Sequence, residues 1–514
     1  MHRVMRRGLW IVLVVNTIQL PATAMELADI GSKIDRTMAT FDPIGKHVRE
    51  PIERAIPNLR VKGSLRQWTD ILIAPRDRVG FRQQDFRFLQ LQNLLEIKPT
   101  YHLAPGLDVN AVIHGLYDGV YDWQNSAGLF ADRLDRTAKV YHDSDRILRE
   151  AYISYRTPNF DLAIGKQQIA WGKMDGQFID IVSAMDRRES VQLESEDYEI
   201  RRLPTWMLNT TFHFGLNSLQ LLYIFDFKPD QLPIEGSPWF SPLIPPSATA
   251  TDIFRPTRRP DNSDFGDHEV GLRFDRSTGA LTYGFIYAYM WDKNPVARIV
   301  GTRLQGGQTL LEFAAEHERL HHFGVTADYA TTLPPLPWVG ALPAVFRVEA
   351  LWTKGVRFSD FAKQGAARGG LFNDGTETHD TLRAAVAAEF GLPANTTLIF
   401  QPSYFQTINW HDTLGPGFGG GIGDEWTLIP LVYVSRPFAF TRDRLSANFT
   451  LFPVISGPDA DWQGVKTKLR VKYKFSQFVT GQLIYNGYDG GKRTTLYGQY
   501  DDFDNIGWEL SYEF

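Results

Sequence analysis

The sequence predicts an all-β fold, a transmembrane antiparallel β-barrel of about 18 strands preceded by an N-terminal amphipathic helical segment. Three observations predict it. Long segments alternate large apolar side chains with small or polar ones, the pattern of strands with one apolar face. The connections between these segments alternate between short and long. The longest apolar run, residues 8–20, lies at the N-terminus and is too short for a transmembrane helix.

Residues 1–24 have the form of a cleaved export signal. Three arginines precede the apolar run, and Ala22 and Ala24 supply the small residues that a signal peptidase requires. We therefore expect cleavage after Ala24 and a mature protein in the outer membrane of a Gram-negative cell. The sequence has no cysteine, so disulfides, thiolate metal sites and cysteine nucleophiles are excluded.

The composition is compatible with a membrane barrel although it resembles that of a water-soluble protein. Hydrophobic residues make up 43% of the chain, because in a barrel half of each strand faces water and hides the membrane signal. The formal net charge of −5 gives no reason to expect nucleic acid as a partner.

Residues 25–57 form the predicted helical segment, ahead of a barrel at 58–514. Apolar residues recur there at spacings of three and four, which is the pattern of an amphipathic helix. They are Leu27, Ile30, Ile34, Met38, Phe41, Ile44, Val48, Ile52 and Ile56. Pro43 and Pro51 should break or kink the helix. The segment is interpreted as a plug inside the barrel or as a docking site for a periplasmic partner, in preference to a loose spacer.

The predicted strands are longer than those of most globular sheets. In residues 281–291, for example, Leu281, Phe285 and Trp291 share one face with three tyrosines. Segments of about 10 to 15 residues suit a tilted membrane crossing. The predicted strands lie near 60–74, 82–98, 107–122, 147–157, 160–171, 203–214, 217–227, 267–275, 280–292, 310–333, 344–356, 378–391, 396–409, 425–436, 443–454, 464–475, 478–488 and 505–514.

The connections support a barrel over a soluble sandwich. Short turns rich in Gly, Pro, Asn and Ser alternate with long polar stretches, as periplasmic turns alternate with external loops. The long stretches are 123–146, 173–202, 228–265, 293–308, 357–377, 410–424 and 489–503. An even strand count returns the C-terminus to the periplasm. Sixteen or twenty strands also fit, because residues 310–342 are poorly patterned.

A row of cations along one predicted strand is the main candidate for a lumen site. It consists of Lys466, Lys468, Arg470, Lys472 and Lys474, which alternate with apolar or neutral residues. A Lys or Arg facing lipid near the bilayer centre costs about 2–4 kcal/mol, so the row must face the lumen. Its side chains would stand about 7 Å apart and could guide anions.

Neutralisation of this row by internal salt bridges is the competing interpretation, and the sequence favours it slightly. Glu509 and Glu513 are predicted to face inward two strands away, and acidic residues of the helical segment could also contribute. Three further inward-facing arginines have the same two interpretations, since acidic residues share the strands of two of them. They are Arg273, Arg347 and Arg383.

No catalytic constellation and no cofactor site are predicted. The run His317-Glu-Arg-Leu-His321 fits H-E-x-x-H, which binds zinc when it lies on a helix. Its flanks have strand character, however, and positions i and i+4 of a strand are about 13 Å apart. We therefore predict no metal site at this motif and no enzymatic activity.

Two features resemble known outer-membrane proteins. The terminal residues Trp508, Leu510, Tyr512 and Phe514 resemble the C-terminal signal that the barrel assembly machinery reads. Residues 148–155, 164–173 and 202–208 resemble a Gram-negative family of porin-like barrels, the domain-of-unknown-function 1302 type. This resemblance implies an outer-membrane barrel and supplies no substrate. Within its block, residues 165–168 and 171–172 are interpreted as the structural end of a strand in preference to a lumen site.

These observations predict a porin-like channel for a small, potentially anionic solute, with the lipid bilayer as its surroundings. Two alternatives stay open. One is a plugged barrel that transports hydrophobic compounds or lipids with a periplasmic partner at residues 25–57. The other is a barrel that acts as a sheath for a partner protein.

Overall fold

Eighteen antiparallel strands form a single closed sheet in the computed structural model of the chain. The structure describes residues 42–73, 87–120, 144–174, 179–188, 198–233, 237–241, 252–337, 340–415, 424–490, 495–501 and 503–514. The barrel strands are β1 Leu59–Leu72, β2 Phe88–Ala104, β3 Leu107–Asp118, β4 Leu148–Thr157, β5 Phe160–Gln167, β6 Thr205–Phe214, β7 Asn217–Ile224, β8 Glu269–Thr278, β9 Leu281–Trp291, β10 Arg319–Leu336, β11 Gly340–Ser359, β12 Thr376–Leu392, β13 Thr396–Thr407, β14 Trp426–Pro437, β15 Leu445–Ser456, β16 Asp461–Lys474, β17 Val479–Asp489 and β18 Asn505–Glu513.

The barrel closes where the last strand pairs with the first. In the register of β18 against β1, Ser64 lies opposite Glu513 and Leu72 opposite Asn505. Backbone bonds of 3.0 and 2.9 Å between Gly63 and Phe514 extend this pairing to the last residue. A Cβ at Gly63 would lie 2.3 Å from the Phe514 ring, so the absent side chain makes room for the terminal aromatic. Closure leaves no unpaired sheet edge, as a bilayer requires.

Large apolar side chains on the outer wall are exposed around the barrel. A contiguous belt of this size does not occur on a soluble monomer and matches the lipid-facing band of an outer-membrane barrel. Examples from successive strands are Ile153, Ile164, Trp206, Leu221, Val270, Phe285, Val325, Val348, Val386, Phe400, Val471, Leu483 and Leu510. The protein is therefore an outer-membrane barrel, as the sequence predicts.

The predicted strand count and the alternation of connection lengths are confirmed. Short turns close one end, taken as periplasmic, at 105–106, 158–159, 215–216, 279–280, 393–395, 438–444 and 475–478, and β10 and β11 are joined at the same end. The opposite connections are longer, except residues 457–460. The strand predicted at 310–333 is wrong in its first part, because Gln308–Glu316 belongs to a separate three-stranded sheet with Ile253–Arg258 and Val296–Gln305. The poor patterning of residues 310–342 hid the break at residues 317–318, and β10 begins only at Arg319.

The described part of the predicted helical segment lies at the periplasmic rim. A π-helical turn, Gly45–Arg49, continues into the α-helix Glu50–Ala55. The turn widens before Pro51, which has no N–H to bond one turn back. The Asp42 carboxylate accepts a 2.5 Å hydrogen bond from the Tyr512 hydroxyl on the outer face of β18. The signal peptide and residues 25–41 lie outside the described residues.

The other described helices are short. They are Ser144–Ile147, Tyr198–Arg201 and Phe361–Arg368, with 3₁₀ turns at Phe265–Asp267, Ala439–Thr441 and Gly498–Tyr500. Within the described ranges, no helix has both the length and the apolar character needed to span a bilayer.

Candidate functional site

Two described stretches of the connection between β5 and β6, residues 168–174 and 179–188, lie inside the barrel and are called the internal loop. Trp171, which is 2% exposed, donates from Nε1 to Gln220 Oε1 on β7 at 2.8 Å. Arg273 on β8 donates to the Trp171 carbonyl at 2.6 Å. Gln220 and Arg273 lie on the inner faces of their strands, because the adjacent Leu221 and Leu272 are exposed on the outer face. The internal loop therefore narrows the lumen from within.

An apolar layer fixes the internal loop to one half of the inner wall. Its members come from the loop and from β6, β7, β9, β11 and β12. They are Ile169, Trp171, Met174, Ile179, Val182, Met207, Leu222, Ile224, Ile286, Ala288, Met290, Leu351, Ala385 and Ala387. None of these described members comes from β14 to β18. The loop thus fills the half of the lumen that faces β6 to β13, and the row of cations on β16 lies on the other half.

A chain of alternating charges lies on the periplasmic side of the apolar layer. Lys173 Nζ is 2.5 Å from Asp328 on β10 and the Asp328 carboxylate is 3.5 Å from Arg347 on β11. Arg347 in turn donates to Glu389 on β12 at 2.7 Å. The backbone N–H of Lys173 donates to Glu349 at 2.7 Å. Arg347 is therefore neutralised by two carboxylates, which is the salt-bridge interpretation of this residue.

Arg383 is the exception among the predicted lumen arginines. It faces inward on β12, two residues before Ala385 of the apolar layer and therefore about 7 Å to its extracellular side. Its side chain is exposed. Among the described residues it has no hydrogen bond and no ion pair. A guanidinium that has no ion-pair partner on the wall of a narrowed lumen attracts anions.

Among acidic residues, Asp292 has the strongest electrostatic effect on Arg383. It follows Met290 on the inward face of β9 and lies just beyond the end of that strand. Burial raises the pKa of the Asp292 carboxyl to about 6, although the bond from the Asn294 N–H and the charge of Arg383 act against the rise. Asp230 also acts on Asp292, but its carboxylate is paired with Arg187 at 3.2 Å.

Buried arginines hold the base of the internal loop. Arg146 and Arg188 both pair with Asp186, the second at 2.8 Å, and Arg202 pairs with Asp180 at 2.7 Å. Burial alone would raise the pKa of Asp186, but the two guanidinium groups hold it well below its usual range. Arg149 reaches the Arg202 carbonyl because a bulge in β4 turns it inward. These contacts fix the loop, and all four arginines are buried.

The extracellular part of the β16 row is enclosed by aromatic residues. Lys466 is 4% exposed, and its ammonium lies 5.8 Å from the Phe452 ring and 6.0 Å from the Tyr488 ring. Trp239, from the connection between β7 and β8, packs against Phe503, from the connection between β17 and β18, with their ring centroids 5.3 Å apart. Lys468 is 9% exposed, whereas Lys474 near the periplasmic end is exposed.

The structure separates the eight predicted lumen residues into three environments. Arg273 pairs with Asp275 at 2.7 Å, as Arg347 does with its two partners. Arg383 on β12 has no ion-pair partner among the described residues. The β16 residues, which include Arg470 and Lys472 in half-buried positions, line the opposite wall. Sequence reasoning missed Lys173 and Asp292, since both lie in connections where no strand period indicates the direction of a side chain.

The two histidines of the H-E-x-x-H run have different surroundings. His317 lies between two strands, and its Nδ1 is 2.7 Å from the Asp292 carbonyl oxygen. His321 lies on the outer face of β10, where its ring is 4.7 Å from that of Tyr289. The strand character expected of these flanks accounts for the separation. At the C-terminus, Trp508 and Leu510 are exposed on the outer face, and the Tyr512 ring stacks on that of Phe514 at 5.8 Å.

Comparison with known proteins gives one family and a set of similar folds. A family model described as "Protein of unknown function (DUF1302)" matches residues 78–514. No curated protein matches the sequence. Among solved structures, OpdK of Pseudomonas aeruginosa with vanillate is 10% identical, with 89% of this chain and 99% of that chain covered at a TM-score of 0.48. OccAB4 of Acinetobacter baumannii is 9% identical, with coverage of 89% and 100% and a TM-score of 0.49.

Proposed function

The chain belongs to the DUF1302 family of proteins of unknown function, and from the geometry of its lumen we propose that it is a porin-like channel for small anionic solutes. The closed barrel, its lipid-facing belt and the internal loop support a selective channel over an open sheath. The observation that carries the preference for anions is the exposed, unpaired Arg383 on the narrowed part of the wall. Lys472 and Lys474 of the β16 row offer further positive charge on the opposite wall.

The proposal is tested with the purified full-length protein in planar lipid bilayers. A KCl gradient across the bilayer separates anion from cation passage by the sign of the reversal potential. We expect discrete conductance steps and a reversal potential on the chloride side. A reversal potential on the potassium side, or protein that inserts without conducting, would contradict the proposal.

Acidification should increase the preference for anions in a way that depends on Asp292. Its carboxyl has a pKa of about 6, so it loses its negative charge as the pH falls from 7.5 to 5. The positive charge of Arg383 is then less compensated, and the ratio of chloride to potassium permeability should rise. The reversal potential is measured at both pH values for the native protein and for Asp292→Asn.

The variant is the control for every other group that titrates. Any other group that titrates between these pH values is present in both proteins, so the difference between the two pH profiles reports Asp292 alone. We expect a smaller change for Asp292→Asn. Equal changes in the two proteins would show that Asp292 does not affect the permeating ions.

The helical segment provides the test of the plugged-barrel alternative. Residues 42–57 expose Val48, Ile52 and Ile56 at the periplasmic rim, where a partner or the membrane interface could cover them. Deletion of residues 25–57 from the mature chain should leave the conductance unchanged if the segment docks a partner. Conductance that appears only after the deletion would favour a plug and a hydrophobic substrate.

A further inference from the structure

Three potential metal ligands converge at the extracellular end of the inner wall. Glu377 and His379 lie at the start of β12, and His411 lies in the connection between β13 and β14. The His379 Nε2 atom is 3.4 Å from Glu377 Oε1, and the His411 Nε2 atom is 3.7 Å from Glu377 Oε2. All three ligand atoms lie within 4.8 Å of one another. No sequence motif joins them, because the two histidines are 32 positions apart.

The partners of His379 direct a lone pair toward Glu377. Its Nδ1 is 3.0 Å from the Ile408 carbonyl oxygen, which can only accept, so Nδ1 carries the proton. The Nε2 atom of the neutral ring is then an acceptor. This atom is buried and has no hydrogen-bond partner, and the residue is 8% exposed. A buried ring nitrogen without a partner is unfavourable unless something binds it.

A second chain of hydrogen bonds orients His411 in the same way. The Thr413 hydroxyl donates to Asp360 Oδ1 at 3.0 Å, which uses its single proton. The Thr413 hydroxyl oxygen also lies 2.9 Å from His411 Nδ1 and therefore accepts a hydrogen bond from it. His411 Nε2 is left as an acceptor that faces Glu377. Fixing the imidazole through its other nitrogen is the usual support of a metal-binding histidine.

When both rings are neutral, two ring-nitrogen lone pairs and a carboxylate face one another, and a cation at their centre would stabilise this arrangement. Ligands bound at 2.0–2.1 Å to tetrahedral Zn²⁺ are about 3.3 Å apart. The distances of 3.4 and 3.7 Å to Glu377 are close to this value, and they run to different oxygens of its carboxylate. Lys363 donates to Glu377 Oε2 at 2.7 Å, so it balances part of the carboxylate charge and competes for one oxygen.

We propose that Glu377, His379 and His411 form a site for a divalent transition metal ion, with Zn²⁺ the preferred occupant, at the extracellular mouth of the lumen. Two imidazoles and one carboxylate leave a fourth position for water or a solute group. The ion would join the connection after β13 to the wall of β12. This site is independent of the proposed anion selectivity, because its evidence is the convergence of three ligands and not the charge of the lumen.

The test is isothermal titration of the purified full-length protein in detergent with ZnCl₂ at pH 7.5, after removal of any histidine tag. We expect one tight site per chain in the native protein. His379→Ala and His411→Ala should each weaken binding at least 100-fold. His213→Ala is the matched control, since His213 is half exposed on another strand and pairs with Asp161 at 2.9 Å.

Two outcomes would overturn the site. One is native protein without a stoichiometric binding event, and the other is native affinity in the His379→Ala/His411→Ala double variant. Lys363→Met provides a separate check that does not remove a ligand. It should tighten zinc binding several-fold because both oxygens of Glu377 become available, and an unchanged or weaker affinity would contradict the role of Glu377.

Discussion

Arg383→Glu is expected to reverse the ion selectivity of the channel from chloride to potassium. The substitution turns one unpaired positive charge into a negative one, in a part of the lumen that already contains Asp292 and Asp230. At about 7 Å in water, reversal of one unit charge changes the relative energies of a passing anion and cation by about 2 kcal/mol. This corresponds to a change of more than tenfold in the permeability ratio, which the reversal potential in a KCl gradient measures directly.

A charge reversal on the outer wall is the matched control for this experiment. Lys354 lies on the outer face of β11, as does the exposed Trp352 two residues before it. It lies opposite His321, which is on the outer face of β10. Lys354→Glu should leave the reversal potential unchanged, because the charge does not face the lumen. An Arg383→Glu channel that keeps its preference for chloride would show that the selectivity is set elsewhere, with the β16 row as the next candidate.

Trp171→Ala is expected to widen the channel and to destabilise the barrel. The indole packs directly against the backbone of β8 at Gly271, where an added Cβ would lie 2.8 Å from the ring. Truncating a buried tryptophan costs about 3–5 kcal/mol through lost burial and the cavity that remains. The hydrogen bond to Gln220 is lost as well. Release of the internal loop from the wall should raise the single-channel conductance, and thermal unfolding should occur at a lower temperature.

Trp206→Ala separates this effect from the general cost of losing an indole. Trp206 lies on β6 and is 42% exposed on the outer face, where it meets lipid. Its truncation should leave the single-channel conductance unchanged. If Trp171→Ala conducts no more than Trp206→Ala, the internal loop does not limit passage through the barrel.

The strand order and the faces of the wall follow from the sequence alone. Each barrel strand must place apolar side chains in lipid and leave no backbone group unpaired, so the period of two is a strict constraint. The alternation along Leu281–Trp291 therefore predicts which face meets lipid, and exposed Phe285 and buried Ala288 lie as expected. Where a segment is not part of the wall, as in Gln308–Glu316, the same pattern misleads.

The sequence also determined that Arg273, Arg347 and Arg383 face the lumen, but only the tertiary structure decided what each of them does. The first two are neutralised by carboxylates on the same or neighbouring strands, whereas Arg383 has no such partner among the described residues. Pairing depends on strand register and on where the internal loop enters, and neither is a property of one strand. The inward position of Trp171 and the approach of His411 to His379 depend on connections, whose side chains follow no period and are positioned by long-range contacts.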